Sequence, residues 1–245
     1  MMWLTPMLFA CMVSPLFKEF IMKQAAYTRD VFKTLSKDST IKLDDGLTKK
    51  VKGPKFGLKA IMSKSAQLNA FHGVVGFKTE TGEVLEGMSK YLLGHQITPQ
   101  EKFNLLEELG DVSYYLTVIA KVMRFKLPSA NRKQHLSKTT VPEALLRLDV
   151  LSTMALDLFK KAFYGKEVDY SGLGPIVLES FGVVYGIAGD CLGVEPSLVR
   201  ESNIAKLSKR YPEGFFDVEA AEVSNRNIVA EHKVIENLQS VAKNN

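Results

Sequence analysis

Apolar residues recur at helical spacing along most of this chain, and no run of residues shows the strict alternation of a half-buried β-strand. The pattern predicts an all-α protein, built as an antiparallel helical bundle with short connections in its core. Thr98 and Thr140 each precede a Glu by three residues, a typical helix start, and Gly94 and Gly165 follow helical runs as stop signals. The predicted helices cover residues 16–36, 64–94, 99–124, 142–164, 173–193, 196–209 and 217–240.

An internal repeat links the middle of the chain to the part that follows it. A shift of 71 residues, from 85 to 156, aligns two helical segments and their turn without a gap. The matching pairs are Leu85 with Leu156, Glu86 with Asp157, Lys90 with Lys161, Gly94 with Gly165, Glu108 with Glu179, Val112 with Val183 and Tyr114 with Tyr185. The unbroken register favours duplication of a helical hairpin over chance similarity. The shift replaces Glu80, Glu83 and Asp111 by uncharged residues, so the second copy is degenerate.

The size and composition of the chain are those of an ordinary globular protein. Its 245 residues can form one medium domain or two small ones, with a sizeable core. An apolar content of 46% and a charged content of 24% exclude a disordered or fibrous chain. The two cysteines, Cys11 and Cys191, form no CxxC or Cys/His metal spacing. We therefore predict no disulfide framework, no structural zinc site and a cytoplasmic location.

The N-terminal stretch 1–17 is apolar, but it lacks the basic region of a secretory signal and is interrupted by Pro6 and Pro15. It is also shorter than a membrane span. We interpret it as an apolar arm, or as the product of a start assigned too early with Met22 as the alternative; targeting is the competing interpretation. We predict no membrane association.

The chain has a net charge of +5, and its basic residues are spread along the sequence except in two basic segments, 47–59 and 124–138. Such segments can hold phosphates or nucleic acid. The second separates two helical patterns and contains Pro, Ser and Asn but no aromatic ladder for base stacking. This composition favours a solvated linker.

Four acidic residues form two pairs with a spacing of three: Glu80 with Glu83, and Glu108 with Asp111. Residues three apart share a helix face, and an antiparallel hairpin can bring two such faces together. Converging carboxylates repel one another unless they are protonated, paired with basic groups or bound to cations. Oxygen ligands favour Mg²⁺ or Mn²⁺ over zinc. A di-iron site would need Glu-x-x-His, which no histidine of this chain provides. A solvated acidic face remains the alternative.

These motifs resemble those of the MazG-like all-α NTP pyrophosphohydrolase superfamily, in which ExxE is followed after a gap by ExxD. The matching segments are HGVVGFKTETGEVLE (72–86) and LLEELGDVSYYL (105–116), and residues 203–226 are similar to the segment that follows in phage and bacterial members. The resemblance implies a bundle of MazG-like type with Mg²⁺ on Glu80, Glu83, Glu108 and Asp111. It also implies cleavage of a nucleoside triphosphate to the monophosphate and pyrophosphate, with one glutamate doubling as the base.

A triphosphate needs cationic contacts, and Lys90, Lys206 and Arg210 are the candidates. Asn203 and Tyr211 belong to the same tail as the last two, while Asn69 and His72 lie on the helix that carries Glu80. The predicted substrate-binding residues are therefore Asn69, His72, Lys90, Asn203, Lys206, Arg210 and Tyr211. The alternatives are a solvated helix face for Lys206 and Arg210 and an ordinary interface position for His72.

The degenerate second copy resembles the arrangement in the dimeric dUTPase branch of the superfamily. The implied division is an N-terminal arm and helix (1–63), a catalytic hairpin (64–126), a basic linker (127–141), a degenerate hairpin with a nucleotide-contacting segment (142–215), and a C-terminal helix or tail (216–245). The implied partners are a nucleoside triphosphate and a second copy of the chain, without nucleic acid. Two alternatives stay open: a helical module for nucleotide sensing or protein interaction without turnover, and a basic nucleic-acid-binding protein.

Overall fold

Seven α-helices account for most of the residues that the structure describes. This computed structural model describes residues 64–130, 135–136, 138–163, 170–212 and 227–243, together with Tyr27 and Asp30. The helices are α1 (Lys64–Gly87), α2 (Ser89–Leu92), α3 (Pro99–Val122), α4 (Val141–Phe163), α5 (Leu173–Ile187), α6 (Pro196–Arg210) and α7 (Ile228–Lys243). The described residues contain no β-strand, so the all-α prediction is confirmed.

Local signals set several helix ends. Thr98 and Glu101 form a capping box at the start of α3, in which the Thr98 side chain accepts from the Glu101 N–H (3.2 Å) and the Glu101 carboxylate accepts from the Thr98 N–H (2.8 Å). Thr140 and Glu143 form the same contacts before α4. Gly94 lies in the turn after α2 and has a φ of 90°, a left-handed conformation that favours glycine.

Two predicted helices differ from the structure. The helix predicted over 64–94 breaks near Met88 into α1 and α2, and the one predicted over 173–193 passes from α5 into a π-helical turn, Ala188–Leu192. Of the helix predicted over 217–240, residues 217–226 lie outside the described residues, Asn227 is not helical, and α7 begins at Ile228. Of the helix predicted over 16–36, only Tyr27 and Asp30 are described, and both are helical. The rest of that helix, the N-terminal stretch 1–17 and the basic segment 47–59 lie outside the described residues.

Helices α1, α3, α5 and α4 pack in a ring around a common apolar core. Phe71 on α1 contacts Phe159 on α4, whereas Lys78, two turns later on α1, forms an ion pair with Asp149, earlier on α4. The two helices are therefore antiparallel. The short connection at Gly94 makes α1 and α3 antiparallel as well. The result is a four-helix bundle of the kind that the apolar periodicity predicts.

The 71-residue shift of the sequence repeat also aligns buried positions of the two copies with one another. Eight aligned pairs are apolar and buried in both copies: Val74 and Leu145, Phe77 and Leu148, Val84 and Ala155, Met88 and Phe159, Leu105 and Ile176, Leu106 and Val177, Tyr114 and Tyr185, and Leu116 and Ile187. Lys78 and Asp149 are also aligned, and they meet in an ion pair. Contact between equivalent residues is what a two-fold axis between two copies produces. Both observations support duplication of the hairpin.

Helices α6 and α7 lie outside the ring, because α6 packs along α3 and α7 packs on α6. Arg210 near the end of α6 forms a two-bond ion pair with Glu231 on α7 (3.2 and 2.7 Å), and Glu231 is only 1% exposed. Tyr27 packs beside Tyr114 and Tyr211 in a small separate cluster on the α3–α6 surface. The bundle's α1–α3 face is therefore partly covered by elements that follow the repeat.

The described part of the basic segment is partly docked, unlike the solvated linker that its composition predicts. Ala130 is buried, and its carbonyl accepts from the Ser197 N–H at the start of α6 (2.9 Å). Asp190 accepts from the Leu136 N–H (3.0 Å) and contacts His135 Nδ1 (2.5 Å). These contacts hold the segment against the end of α5 and the beginning of α6.

One stretch within the described residues, Leu173–Leu192, is long and apolar enough to cross a membrane. It comprises α5 and the turn after it, and its large side chains Phe181 and Tyr185 are buried in the bundle. A core helix of a bundle has the same length and composition, so the stretch is weak evidence for a membrane span.

Candidate cation site

Three glutamates from two helices meet on the α1–α3 face. Glu80 and Glu83 lie one turn apart on α1, and Glu108 lies on α3. One carboxylate oxygen from each can be chosen such that all three oxygens lie within 4.8 Å of one another. Glu80 and Glu108 are half-buried and Glu83 is exposed, so the group lies in a recess that is open to solvent on one side.

The electrostatics of this group are unfavourable when all three glutamates are ionised. Burial raises the pKa of Glu80 to about 8, and the charges of Asp111, Glu83 and Glu108 add to the effect. Burial and the charge of Asp111 likewise raise the pKa of Glu108 to about 8. Within the described part of the chain, none of the three glutamates forms a hydrogen bond or ion pair with a basic side chain. The charge of Lys206 lowers the pKa of Glu80 and of Glu108, but burial and the neighbouring carboxylates outweigh this effect.

Asp111, the fourth predicted ligand, has different partners. Its carboxylate accepts from Asn203 Nδ2 (2.5 Å) and from Lys206 Nζ, both on α6. It lies close enough to raise the pKa values of Glu80 and Glu108 by its charge, although it is not part of the three-oxygen group. The structure thus brings all four predicted acids to one region. Three of them face one another, and the fourth, Asp111, is bound to side chains of α6.

Lys206 is almost fully buried, with 1% of its surface exposed, and it also contacts Glu107 Oε1 (3.2 Å). Burial lowers the pKa of its amine, but the charges of Asp111 and Glu107 outweigh this effect and leave the pKa raised. Lys206 is therefore an ammonium ion. On the other side of Glu107, His232 Nε2 lies 3.4 Å from the second carboxylate oxygen.

The Tyr115 ring forms a wall beside the trio. It lies directly over Gly76, one turn before Glu80 on α1, and the edge of His72 meets it at a centroid distance of 5.5 Å. The charge of Glu80 contributes to the raised pKa of Tyr115, after the larger effect of burial. Gly76 is required because any Cβ there would overlap the ring.

This close approach predicts opposite effects for two glycines of α1. Gly76→Ala should lower the free energy of unfolding by about 1–3 kcal/mol, the usual cost of overpacking. Gly82→Ala, whose Cβ meets open space, should raise it by up to about 1 kcal/mol, the helix-propensity gain of alanine over glycine. Urea unfolding of both variants measures the difference. A shift of the same sign in both would contradict the position of the Tyr115 ring.

The remaining predicted substrate-binding residues lie in varied settings. Lys90 is exposed on α2, and its charge helps to lower the pKa of Glu101, which is not part of the trio. Arg210 is committed to Glu231, and Tyr211 is buried in the cluster with Tyr27. Asn69 is half-buried on α1, about three turns before Glu80. Asn203 and Lys206 bind Asp111 directly, and His72 contacts the Tyr115 ring. Arg210 and Tyr211 act on Asp111 and Tyr115, respectively, through their charge.

Sequence reasoning missed Glu107 and His232 as parts of this region. Glu107 had a readable signal, because it lies four residues before Asp111 and therefore on the same face of α3. His232 had none, since its position depends on how α7 packs against α3. Chain spacing does not give such packing.

The second hairpin keeps one of the four acids, Glu179, and pairs it with a basic side chain of the same hairpin. Glu179, aligned with Glu108, accepts two hydrogen bonds from the Arg147 guanidinium (2.7 and 3.0 Å). Arg147 occupies the position aligned with Gly76. The retained glutamate of the degenerate copy is thus in a direct ion pair, whereas Glu108 forms no ion pair among the described residues and feels the charge of Lys206 only at longer range.

Comparisons with protein-family models, with curated proteins and with solved structures find no match to this chain.

Proposed function

We propose that this chain is a divalent-cation-dependent nucleoside triphosphate pyrophosphohydrolase. The observation that carries the proposal is the convergence of carboxylate oxygens from Glu80, Glu83 and Glu108, which lie within 4.8 Å of one another and form no ion pair with a basic side chain among the described residues. The resemblance of the ExxE and ExxD motifs to the MazG-like superfamily suggests the reaction class.

The donor set fits Mg²⁺ or Mn²⁺. Hard divalent cations prefer carboxylate oxygens, and Mg²⁺ at phosphate sites uses few carboxylates together with water and substrate oxygens. Glu80, Glu83 and Glu108 would hold the cation. When bound, it would offset the mutual repulsion of the trio, neutralise charge on the phosphates and lower the pKa of a water ligand toward neutrality.

The proposed reaction adds water across the anhydride between the α and β phosphorus. A bond forms between the water oxygen and the α-phosphorus. The bond from that phosphorus to the α–β bridging oxygen breaks, and pyrophosphate leaves with the bridging oxygen. The proton of the water passes to a carboxylate oxygen of the trio, which acts as a general base. Tyr115 borders the site, where it would limit the access of other water to the reacting groups.

A panel of ribo- and deoxyribonucleoside triphosphates tests the proposal. With Mg²⁺ present, we expect equimolar monophosphate and pyrophosphate from at least one member, separated by ion-exchange chromatography. Release of orthophosphate alone would indicate a different cleavage. A panel in which no member yields pyrophosphate, with the protein folded and Mg²⁺ saturating, would reject the proposed reaction.

The raised pKa values predict how pH acts on the site. Both glutamates have a folded-state pKa of about 8 against an ordinary value of 4.5, so the folded state favours their protonated forms. The stability of the metal-free protein should therefore fall as pH rises through this interval. Protons compete with the cation, so Mg²⁺ should raise the melting temperature more above pH 8 than at pH 6. Calorimetry with and without Mg²⁺ measures both trends, and an equal Mg²⁺ effect at both pH values would contradict them.

A further inference from the structure

Five carboxylates of α1 and α3 differ in their contact with Lys206 on α6. Glu107 and Asp111 both form ion pairs with the Lys206 amine. Glu80, Glu83 and Glu108 form no hydrogen bond or ion pair with a basic side chain within the described residues, and the charge of Lys206 lowers the pKa of Glu80 and Glu108 without reversing the rise caused by burial. Lys206 therefore neutralises one pair of carboxylates by direct contact and acts on the other three only at longer range.

The position of Lys206 is fixed by the packing of α6 on α3. A Cβ on Gly110 would lie 3.0 Å from Asn203 Cβ and 3.3 Å from the Val199 carbonyl oxygen, so the two helices approach closely only because residue 110 is glycine. Asn203 adds a hydrogen bond from Nδ2 to Asp111 one turn before Lys206. Lys206 is 1% exposed, so its amine cannot turn to solvent without a shift of α6.

Asn203 carries a second observation. Its Oδ1 is buried and has no hydrogen-bond partner within the described residues, although its Nδ2 is bound to Asp111. The amide cannot be reversed to satisfy Oδ1, because the oxygen would then face the carboxylate of Asp111. A buried acceptor without a hydrogen-bond partner among the described residues indicates a donor such as a bound water.

We propose that Lys206 is a positioning residue that acts as a built-in cation: it takes Glu107 and Asp111 and so limits the nucleotide-free protein to one divalent cation, held by Glu80, Glu83 and Glu108. The inference rests on the proposed function, because it assumes that the trio binds a cation. It goes beyond the sequence prediction, in which Asp111 is a ligand and Lys206 contacts substrate.

A physical consequence separates this role from simple structural support. A buried lysine that only stabilises the fold would, when removed, weaken cation binding through disorder. A built-in cation would, when removed, leave two additional carboxylates beside the trio without a counter-charge. Those carboxylates then attract a further divalent cation. The number of bound cations therefore rises when Lys206 is lost.

Mn²⁺ binding to the metal-free full-length protein, without nucleotide, tests the proposal by electron paramagnetic resonance of free Mn²⁺ and by calorimetry. We expect one bound Mn²⁺ for the wild type and for Lys206→Arg, and two for Lys206→Met. Lys209→Met, which changes an exposed lysine on the same helix, should keep one. One Mn²⁺ of unchanged affinity in Lys206→Met, or two in the wild type, would overturn the proposal.

A second variant covers the case in which Lys206→Met does not fold. The triple variant Lys206→Met, Glu107→Gln, Asp111→Asn removes the lysine together with both of its carboxylates, and we expect it to fold and to bind one Mn²⁺. Two bound Mn²⁺ in this variant would contradict the proposal. No Mn²⁺ binding by the folded wild type would instead remove the proposed cation site, and this inference with it.

Discussion

Glu108→Gln is expected to lower kcat/KM for the best nucleoside triphosphate by roughly 100-fold or more, comparable to the loss of one electrostatic stabiliser of a transition state. The amide of Gln keeps the size of the side chain but removes one of three negative ligands. Burial and neighbouring charges already make this carboxylate a high-energy anion, with a pKa of about 8. The charge that a cation would neutralise is therefore lost, and the variant should also bind Mn²⁺ more weakly.

The internal repeat provides a matched control for this substitution. Glu179 is the residue aligned with Glu108, it is about half exposed, and it is paired with Arg147. Glu179→Gln should therefore leave kcat/KM within about twofold of the wild type, since an exposed ion pair contributes little. Steady-state assays of both variants at saturating Mg²⁺ make the comparison. Equal losses in the two variants would mean that the trio has no special role.

Arg210→Met is expected to lower the free energy of unfolding by about 3–5 kcal/mol, the usual cost of breaking a buried ion pair by removing one of its members. Its partner Glu231 is 1% exposed, and the two-bond ion pair connects α6 to α7. Lys209→Met, one residue earlier and exposed, should change stability by less than about 0.5 kcal/mol. Denaturant unfolding measures both values. A loss in Arg210→Met no larger than that in Lys209→Met would contradict the buried pair.

The same substitution distinguishes a structural role from the predicted contact with substrate. A double variant, Arg210→Met with Glu231→Leu, removes both charges and should recover most of the lost stability, because an apolar pair often replaces a buried ion pair without cost. If Arg210 only holds α7 against α6, the double variant should also recover kcat and KM. A double variant with recovered stability but a raised KM would instead support the predicted contact between Arg210 and a substrate phosphate.

The sequence predicted most of the helices because their signals are local. The capping boxes at Thr98 and Thr140 and the left-handed turn at Gly94 depend on residues a few positions apart. The repeat register added non-local information, since aligned apolar positions such as Phe77 and Leu148 are buried in both copies. The break at Met88 had no comparable signal, so α1 and α2 were predicted as one helix.

The site was predictable up to the faces of two helices and no further. The spacing of Glu80 and Glu83 places both on one face of α1, and a hairpin then brings Glu108 opposite them. The separation of Asp111 from this group depends on Lys206, 95 residues later in the chain. The commitment of Arg210 to Glu231 depends on the packing of α7 on α6. Helical periodicity carries no information on either contact.

The anomalous scattering of a crystal soaked in Mn²⁺ above pH 8 without nucleotide tests most directly whether a cation binds between the three glutamates. We expect one strong peak within roughly 2.0–2.3 Å of carboxylate oxygens from Glu80, Glu83 and Glu108, the range expected for a hard divalent ion of this size. Lys206 should remain on Asp111 in the same crystal. A clear map without a peak between the three glutamates, at a saturating Mn²⁺ concentration, would contradict the proposed cation site.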